Sequence, residues 1–357
     1  MTLTHHTVAN QQVHSILMGA RHRGREAAPL LARAGIAPAL LESPLARISQ
    51  RQYAMLLRAL RRELRDELWG LLSHPLPPGS FGQCMRHLVR CATLGEALRD
   101  GFTWYRLLLA DFVPRLSVHD GSAHVQFVLR RESDARLDYA VKAFMLLAFN
   151  AASWLVARRI PLLSVDYTAD QTSTDTSRVY QVPIRFRQPH VGLSFDARWL
   201  ALPIVQSPQS LREFLAGSPA NLIVKYRDTS SLTERIRRLL RKQLGADLPS
   251  LEEVGEALAV TPQTLRRRLR DEGRGFQQIK DELRRDAAIE YLLHTPLPLL
   301  EIANRVGFSE ASTFHRAFKQ WTGVAPGEYR LSHGSERTEA ACAMDANRVS
   351  SAATPSG

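Results

Sequence analysis

The stretch from Leu299 to Leu331, LLEIANRVGFSEASTFHRAFKQWTGVAPGEYRL, constrains the fold more than any other, because its apolar spacing writes two short helices around a tight turn. Ile302, Ala303 and Val306 lie three and four residues apart and so line one face of the first helix. Gly307 ends it, since a positive φ closes a helix cheaply only where there is no Cβ. Ser309 is placed to cap a second helix running to about Gln320. In that helix Phe314, Ala317, Phe318 and Trp321 recur at helical spacing and must turn inward. Ala311, Ser312, His315, Arg316 and Lys319 are left on the surface. A helix that is apolar within and small, polar and basic without suits a major groove. A helical hairpin with a merely solvated basic face is the plainer alternative.

A similar pattern lies upstream. Leu232, Ile236, Leu239, Leu240 and Leu244 form the stripe of an amphipathic helix closed by Gly245. Leu251, Val254, Ala257 and Leu258 follow as the first helix of another hairpin. Thr261 then caps a helix with Pro262 in its first position. Leu265 and Leu269 point inward there, and Gln263, Arg266, Arg267 and Arg270 face solvent or DNA. Phe276, Ile279, Leu283, Ala287 and Tyr291 predict a helix over 276–292, a rod on the order of 25 Å at 1.5 Å per residue. Two readers on such a rod can address successive major-groove faces, which recur every ~34 Å; a shorter spacing between them would bend the DNA.

The second hairpin closely resembles the second helix-turn-helix of the AraC/XylS family of bacterial transcription activators. Ala303, Val306, Gly307, Phe308, Ser309, Ser312, Phe314, Arg316, Phe318, Lys319, Gly323, Pro326, Tyr329 and Arg330 fall where that signature puts them. The first hairpin matches less well, with Ala259 standing where the turn often has Gly. The resemblance implies base readers at Gln263, Arg266 and Arg267 in the first unit and Ala311, Ser312, His315 and Arg316 in the second. Arg270 and Lys319 lie on the same exposed faces. Arg can fork onto guanine and Gln onto adenine, whereas Ala311 offers only methyl contact. For each arginine a phosphate contact is the alternative, and Arg316 in particular suits a backbone clamp.

The chain before the hairpins is of mixed type. Short helices punctuated by Gly24, Gly35, Pro38 and Pro44 lead into a helix over 50–72, with Tyr53, Leu56, Leu57, Leu60, Leu64 and Leu68 inward and Arg58, Arg61, Arg62, Arg65 and Asp66 outward. Beyond the proline loop at 74–79 come helices over 81–91 and 93–109. Two alternating runs then flank Asp120-Gly121, a strong hairpin signal. A helix over 139–159 and strands near 162–167, 185–186 and 191–195 complete an α+β unit. The segments around Val165, from Tyr180 to Phe186 and from Leu193 to Pro203 resemble the sensing domain of AraC-type regulators related to ornithine-utilisation and virulence regulators.

That resemblance implies a small-molecule effector in the N-terminal part. Tyr167, Phe186, Phe195 and Trp199 are weak candidates to line its site, with core packing as their first role. His119 and His124, beside the hairpin turn, read as surface or edge residues.

The expected fold is an α+β N-terminal sensing domain followed by an all-α DNA-binding domain with two helix-turn-helix motifs joined by a long helix. Its expected divisions are an unstructured lead over 1–15, a sensing and dimerisation domain over 16–205, a linker over 206–230, a DNA-binding domain over 231–332 with hairpins at about 251–271 and 299–320, and a disordered tail over 333–357.

Composition agrees with a nucleic-acid partner: 47 Lys and Arg against 35 Asp and Glu leave +12, mostly as arginine. An anionic membrane surface or an acidic protein would also accept such a chain. Three cysteines are too few for a disulfide framework and fit a reducing cytoplasm. Cys84 and Cys91, about 10 Å apart along one helix, read as buried small hydrophobes. The N-terminus lacks a signal-peptide series, and the apolar run over 143–157 is too short to span a bilayer. Adjacent His5 and His6 diverge on any regular element, so no metal is expected.

No G-x-S-x-G, H-E-x-x-H, Walker loop or C-x-x-C motif invites catalysis, so no catalytic residue and no cofactor is expected. The partners implied are double-stranded promoter DNA, an effector, RNA polymerase and a second copy of the chain, in the cytoplasm. An activator is the first reading. A repressor or ligand-independent regulator of the same family is the alternative, and an enzyme with an appended DNA module is a distant one.

Overall fold

The computed structural model describes residues 7–43, 45–170, 180, 182, 184–216, 218, 232–245, 248–271 and 275–331. The unstructured lead expected over 1–15 is ordered from Thr7 on, and residues 1–6 lie outside the described part. Strand β1 (Thr7–Ala9) pairs antiparallel with β2 (Arg47–Ser49), Val8 opposite Ile48. Helix α1 (Asn10–His22) follows at once and buries Val13, Ile16 and Leu17. What orders this segment is a strand some forty residues away, which local periodicity does not register.

Helix α2 (Ala27–Ala34) ends at Gly35 in the left-handed region. Helix α3 (Gln50–Leu64) opens on a reciprocal cap in which Ser49 and Gln52 satisfy each other's backbone N–H. It stops at Leu64, short of the expected residue 72, because Arg65 turns left-handed with φ 50°. Asp66, expected outward, is buried instead: its carboxylate accepts from the backbone N–H of Leu68, Gly70 and Leu76 at 2.8–2.9 Å and folds the next loop around itself.

Helices α4 (Ser80–Leu88), α5 (Leu94–Leu108) and α6 (Ala135–Leu155) pack with a five-stranded sheet. Its strands are β3 (Phe112–His119), β4 (Ser122–Leu129), β5 (Leu162–Asp166), β6 (Ile184–Arg185) and β7 (Val191–Asp196), in the order β3-β4-β7-β5-β6. All pairs are antiparallel except β5 with β6. Asp120 and Gly121 both take positive φ at the β3–β4 turn, as a two-residue hairpin with right-handed twist requires. Phe112, Phe127 and Phe144 meet edge to face at 5.4–6.1 Å where α6 crosses the sheet. Cys84 and Cys91 are free, buried thiols, and Cys91 sits beyond the end of α4.

In the expected linker, α7 (Pro208–Ala216) is a helix anchored by Leu211 and by Phe214, which stacks on Trp154 at 4.2 Å. The rest of that linker, 219–230, and the expected tail, 333–357, lie outside the described residues.

The C-terminal part is helical: α8 (Leu232–Lys242), α9 (Leu251–Leu258), α10 (Pro262–Asp271), α11 (Phe276–His294), α12 (Leu299–Arg305) and α13 (Ala311–Thr322). Two cores share α11. Ile279 and Leu283 join Ile236, Leu240, Val254, Leu265 and Leu269 at one end; Ala287, Ala288, Ile289 and Leu292 join Ile302, Ala303, Val306, Phe314, Phe318 and Tyr329 at the other. The second core also takes in Ala37, Leu40 and Ala46 from the N-terminal part.

Candidate nucleic-acid interface

The first unit is built on local chemistry. Ser250 and Glu253 close a reciprocal cap on α9, and the Ser250 backbone N–H, with the Ser250 hydroxyl behind it, holds the Glu253 carboxyl below its ordinary value. Ala257, expected inward, is exposed, and Gly255 is buried in its place. A Cβ on Gly255 would stand 2.7 Å from the Val260 carbonyl oxygen, so the chain can fold back only over a glycine. Ala259 keeps the turn despite its Cβ, taking φ 54°. Thr261 caps α10 through the Thr264 N–H, and Leu265 and Leu269 are buried below. Gln263, Arg266, Arg267 and Arg270 therefore share the exposed side. Arg268 is exposed as well, a cation the reading of α10 left out although it belongs to the same arginine run. Arg266 pairs with Glu252 at 3.4 Å across a solvated gap, a contact weak enough for a phosphate to displace.

In the second unit Gly307 turns with φ 83°, and the Phe308 N–H closes back on the Ala303 carbonyl at 2.9 Å. The helix starts later than the sequence suggests: Glu310, not Ser309, stands at the cap position, and Ser309 makes no cap. Phe308, Phe314 and Trp321 form an aromatic cluster, and the Arg284 guanidinium lies over the Phe308 ring at 5.1 Å. Phe314 and Phe318 are fully buried, while Ala317 and Trp321 are half-buried. Ser312, His315, Arg316 and Lys319 are exposed and Ala311 is half-exposed. The Ser312 hydroxyl donates to Glu310 at 3.2 Å, which sets a carboxylate beside the reading face. Arg330, typical of the family signature, is spent internally on the Leu297 carbonyl.

None of the four weak effector candidates lines the cavity between α4, α5 and α6. Tyr167 and Phe195 are buried in the sheet layer, and Phe186 and Trp199 are half-buried around it. Of the four, Phe195 borders a small void of about 20 Å³. His119 is exposed and His124 half-exposed. His5 and His6 lie outside the described residues. His87, Cys91 and Asp100, which the sequence reading did not connect, converge within 4.8 Å, with His87 Nε2 already 2.8 Å from Asp100. Among the described residues, no helix is long and apolar enough to cross a membrane.

Two helix-turn-helix units mounted on one shared helix, each turning a polar and basic recognition helix outward, define a DNA-binding transcription regulator. Residues 24–204 match the arabinose-binding N-terminal domain of AraC transcription regulators, and residues 254–332 match a helix-turn-helix domain. The chain belongs to the AraC family. It is 29% identical over 300 residues to the ornithine utilization regulator of Pseudomonas aeruginosa, covering 83% of this chain and 88% of that protein. It is 26% identical over 331 residues to the HTH-type transcriptional regulator Rv1395 of Mycobacterium tuberculosis, covering 87% and 92%. Among solved structures, the C-terminal domain of AraT, a response regulator from Geobacillus stearothermophilus, is 36% identical over 30% of this chain and 88% of that one, with a TM-score of 0.28. Both relatives are named as regulators, the second as an HTH-type transcriptional one, and the chain is a regulator and not an enzyme.

Proposed function

We propose that the chain is a promoter-specific transcription activator of the cytoplasm whose two recognition helices lie on one side of the same duplex. Gln263, Arg266, Arg267 and Arg270 enter one groove segment, and Ala311, Ser312, His315, Arg316 and Lys319 the next. The observation that carries this reading is the shared helix α11, which supplies side chains to both cores and so fixes one reader against the other. At 19 residues it is about 28 Å long, near the ~34 Å repeat of the groove. Phosphate neutralisation supplies affinity, and base edges supply choice. The N-terminal domain binds a small molecule that changes how the readers are presented, RNA polymerase is the downstream partner, and the regulator acts as a homodimer.

Fluorescence anisotropy of the full chain with DNA from upstream of its own gene tests the reading. Affinity should fall steeply with salt, with log K linear in log salt concentration. Binding that ignores salt, or that does not distinguish this DNA from a scrambled duplex, overturns it. A reporter fused to the same DNA separates activator from repressor by the sign of the response.

A further inference from the structure

A cavity of about 90 Å³ lies between α4, α5, α6 and the loop around Trp69. A single water needs roughly 10–15 Å³, so the space is several times too large for one. Its walls are apolar, with Met85, Phe102, Phe144, Ala148 and Leu155 among them. Apolar walls do not hold water well, and a well-packed interior of this size leaves few such voids.

Polar side chains interrupt the apolar lining at Tyr105, Arg61, Glu67 and Ser218. The Tyr105 side chain is more than nine-tenths buried and borders the cavity, and its hydroxyl has no hydrogen-bond partner among the described residues. A phenol hydroxyl on an apolar cavity wall can donate to an acceptor that enters the cavity. Arg61 lines the rim, and its guanidinium likewise has no anion among the described residues. Glu67, also at the rim, is not its partner: both carboxylate oxygens accept backbone N–H groups, from Gly79 and Phe81, at 2.7 Å.

From the apolar walls, the Tyr105 side chain on them and the Arg61 guanidinium at the rim we infer that this cavity binds a small amphiphile, with an apolar body inside and a carboxylate or similar anionic end toward Arg61. The inference rests on the proposed effector control and gives that effector a place and a chemical class. The place suits control. Phe81 on α4 meets Phe214 on α7 at 6.5 Å, and Ser218, just past α7 on the way to the readers, lines the cavity itself. On another side the Trp69 backbone is pressed against Gly19 of α1, the helix that continues from β1.

Calorimetric titration of the full chain with sodium octanoate and with 1-octanol, without DNA, tests the site. One octanoate per chain is expected. R61Q should weaken octanoate about tenfold and leave 1-octanol unchanged, and Y105F should weaken both about fivefold, the worth of one hydrogen bond. A148W should abolish both; A151L, a smaller intrusion from the same helix, serves if A148W fails to give a cooperative melting transition. Absence of binding by either ligand, binding that survives the blocking variants, or equal affinity in R61Q for octanoate overturns the inference. Because no DNA is present, such a failure leaves the DNA-binding reading standing, and loss of DNA binding leaves this titration interpretable.

Discussion

Thr7 and Asp286 are 279 residues apart in the chain, yet the Thr7 hydroxyl donates to Asp286 Oδ1 at 2.7 Å in the middle of the shared helix α11. The same hydroxyl accepts from Arg47 Nε at 2.7 Å, and the Tyr329 hydroxyl donates to the Arg47 carbonyl. Together with Leu40 and Ala46, buried in the second core, these bonds join the two-stranded sheet to the DNA-binding domain. Replacing Thr7 by Val keeps the shape and removes both hydrogen bonds. A loss of about 1–2 kcal/mol is expected, read as a lower melting temperature of the full chain. An unchanged melting profile would show that this joint does not contribute.

Glu290, one turn beyond Asp286 on α11, is buried, and burial pushes its carboxyl up to about 7, with the Asp286 charge adding and Arg51 opposing. His294 lies 3.4 Å away on the same helix. A carboxyl whose folded value is raised above its ordinary value of 4.5 holds its proton more tightly in the native state. Its stability contribution is therefore present at low pH and lost as pH rises from about 4.5 through about 7. Glu290→Gln should remove that slope. The variant is expected to match the parent near pH 4.5 and, with partial solvent screening, to exceed it by about 1–2 kcal/mol at pH 8, measured by denaturant unfolding across the range.

Ala259 holds φ 54° at the turn of the first unit. A non-glycine residue in the left-handed region costs roughly 1–2 kcal/mol, so Ala259→Gly should stabilise the protein by about 1 kcal/mol and raise its melting temperature. Gly255→Ala should do the reverse and more, because its Cβ meets the Val260 carbonyl at 2.7 Å. A neutral Gly255→Ala would show that the turn can shift to accept a methyl group.

Arg267 and Arg316 are exposed on the two recognition helices. If Arg316 clamps a phosphate, Arg316→Ala should weaken all DNA sequences alike and reduce the salt slope by about 1. If Arg267 reads a guanine, Arg267→Ala should cost about 1–3 kcal/mol on the cognate site and relax the choice of one base pair. Binding measured against a panel of singly substituted sites separates the two behaviours.

Much of this architecture is legible in the sequence because it is local. Leu265 with Leu269, and Phe314 with Phe318, are four apart and land buried, so the outward faces of α10 and α13 follow from spacing alone. The exceptions turn on partners far along the chain or on backbone approach. Thr7–Ala9 reads as a free end until β2 supplies its ladder. Asp66 reads as a solvated charge until three backbone N–H groups converge on it. Gly255 goes unmarked in the apolar spacing, since periodicity counts apolar residues and does not see the carbonyl that excludes a side chain there. Arg61, read only as part of an arginine-rich outer face, borders the cavity beneath it.

The two readers are restrained unequally. Among the described residues the second unit's core is completed by Ala37, Leu40 and Ala46, whereas the first unit's core draws only on residues from Leu232 onward. One head is bolted to the body of the protein, and among the described residues the other is held through the rod. A twist transmitted through the N-terminal domain would thus turn both heads together, like the teeth of one key, changing how the pair meets the duplex while the phase between them stays fixed.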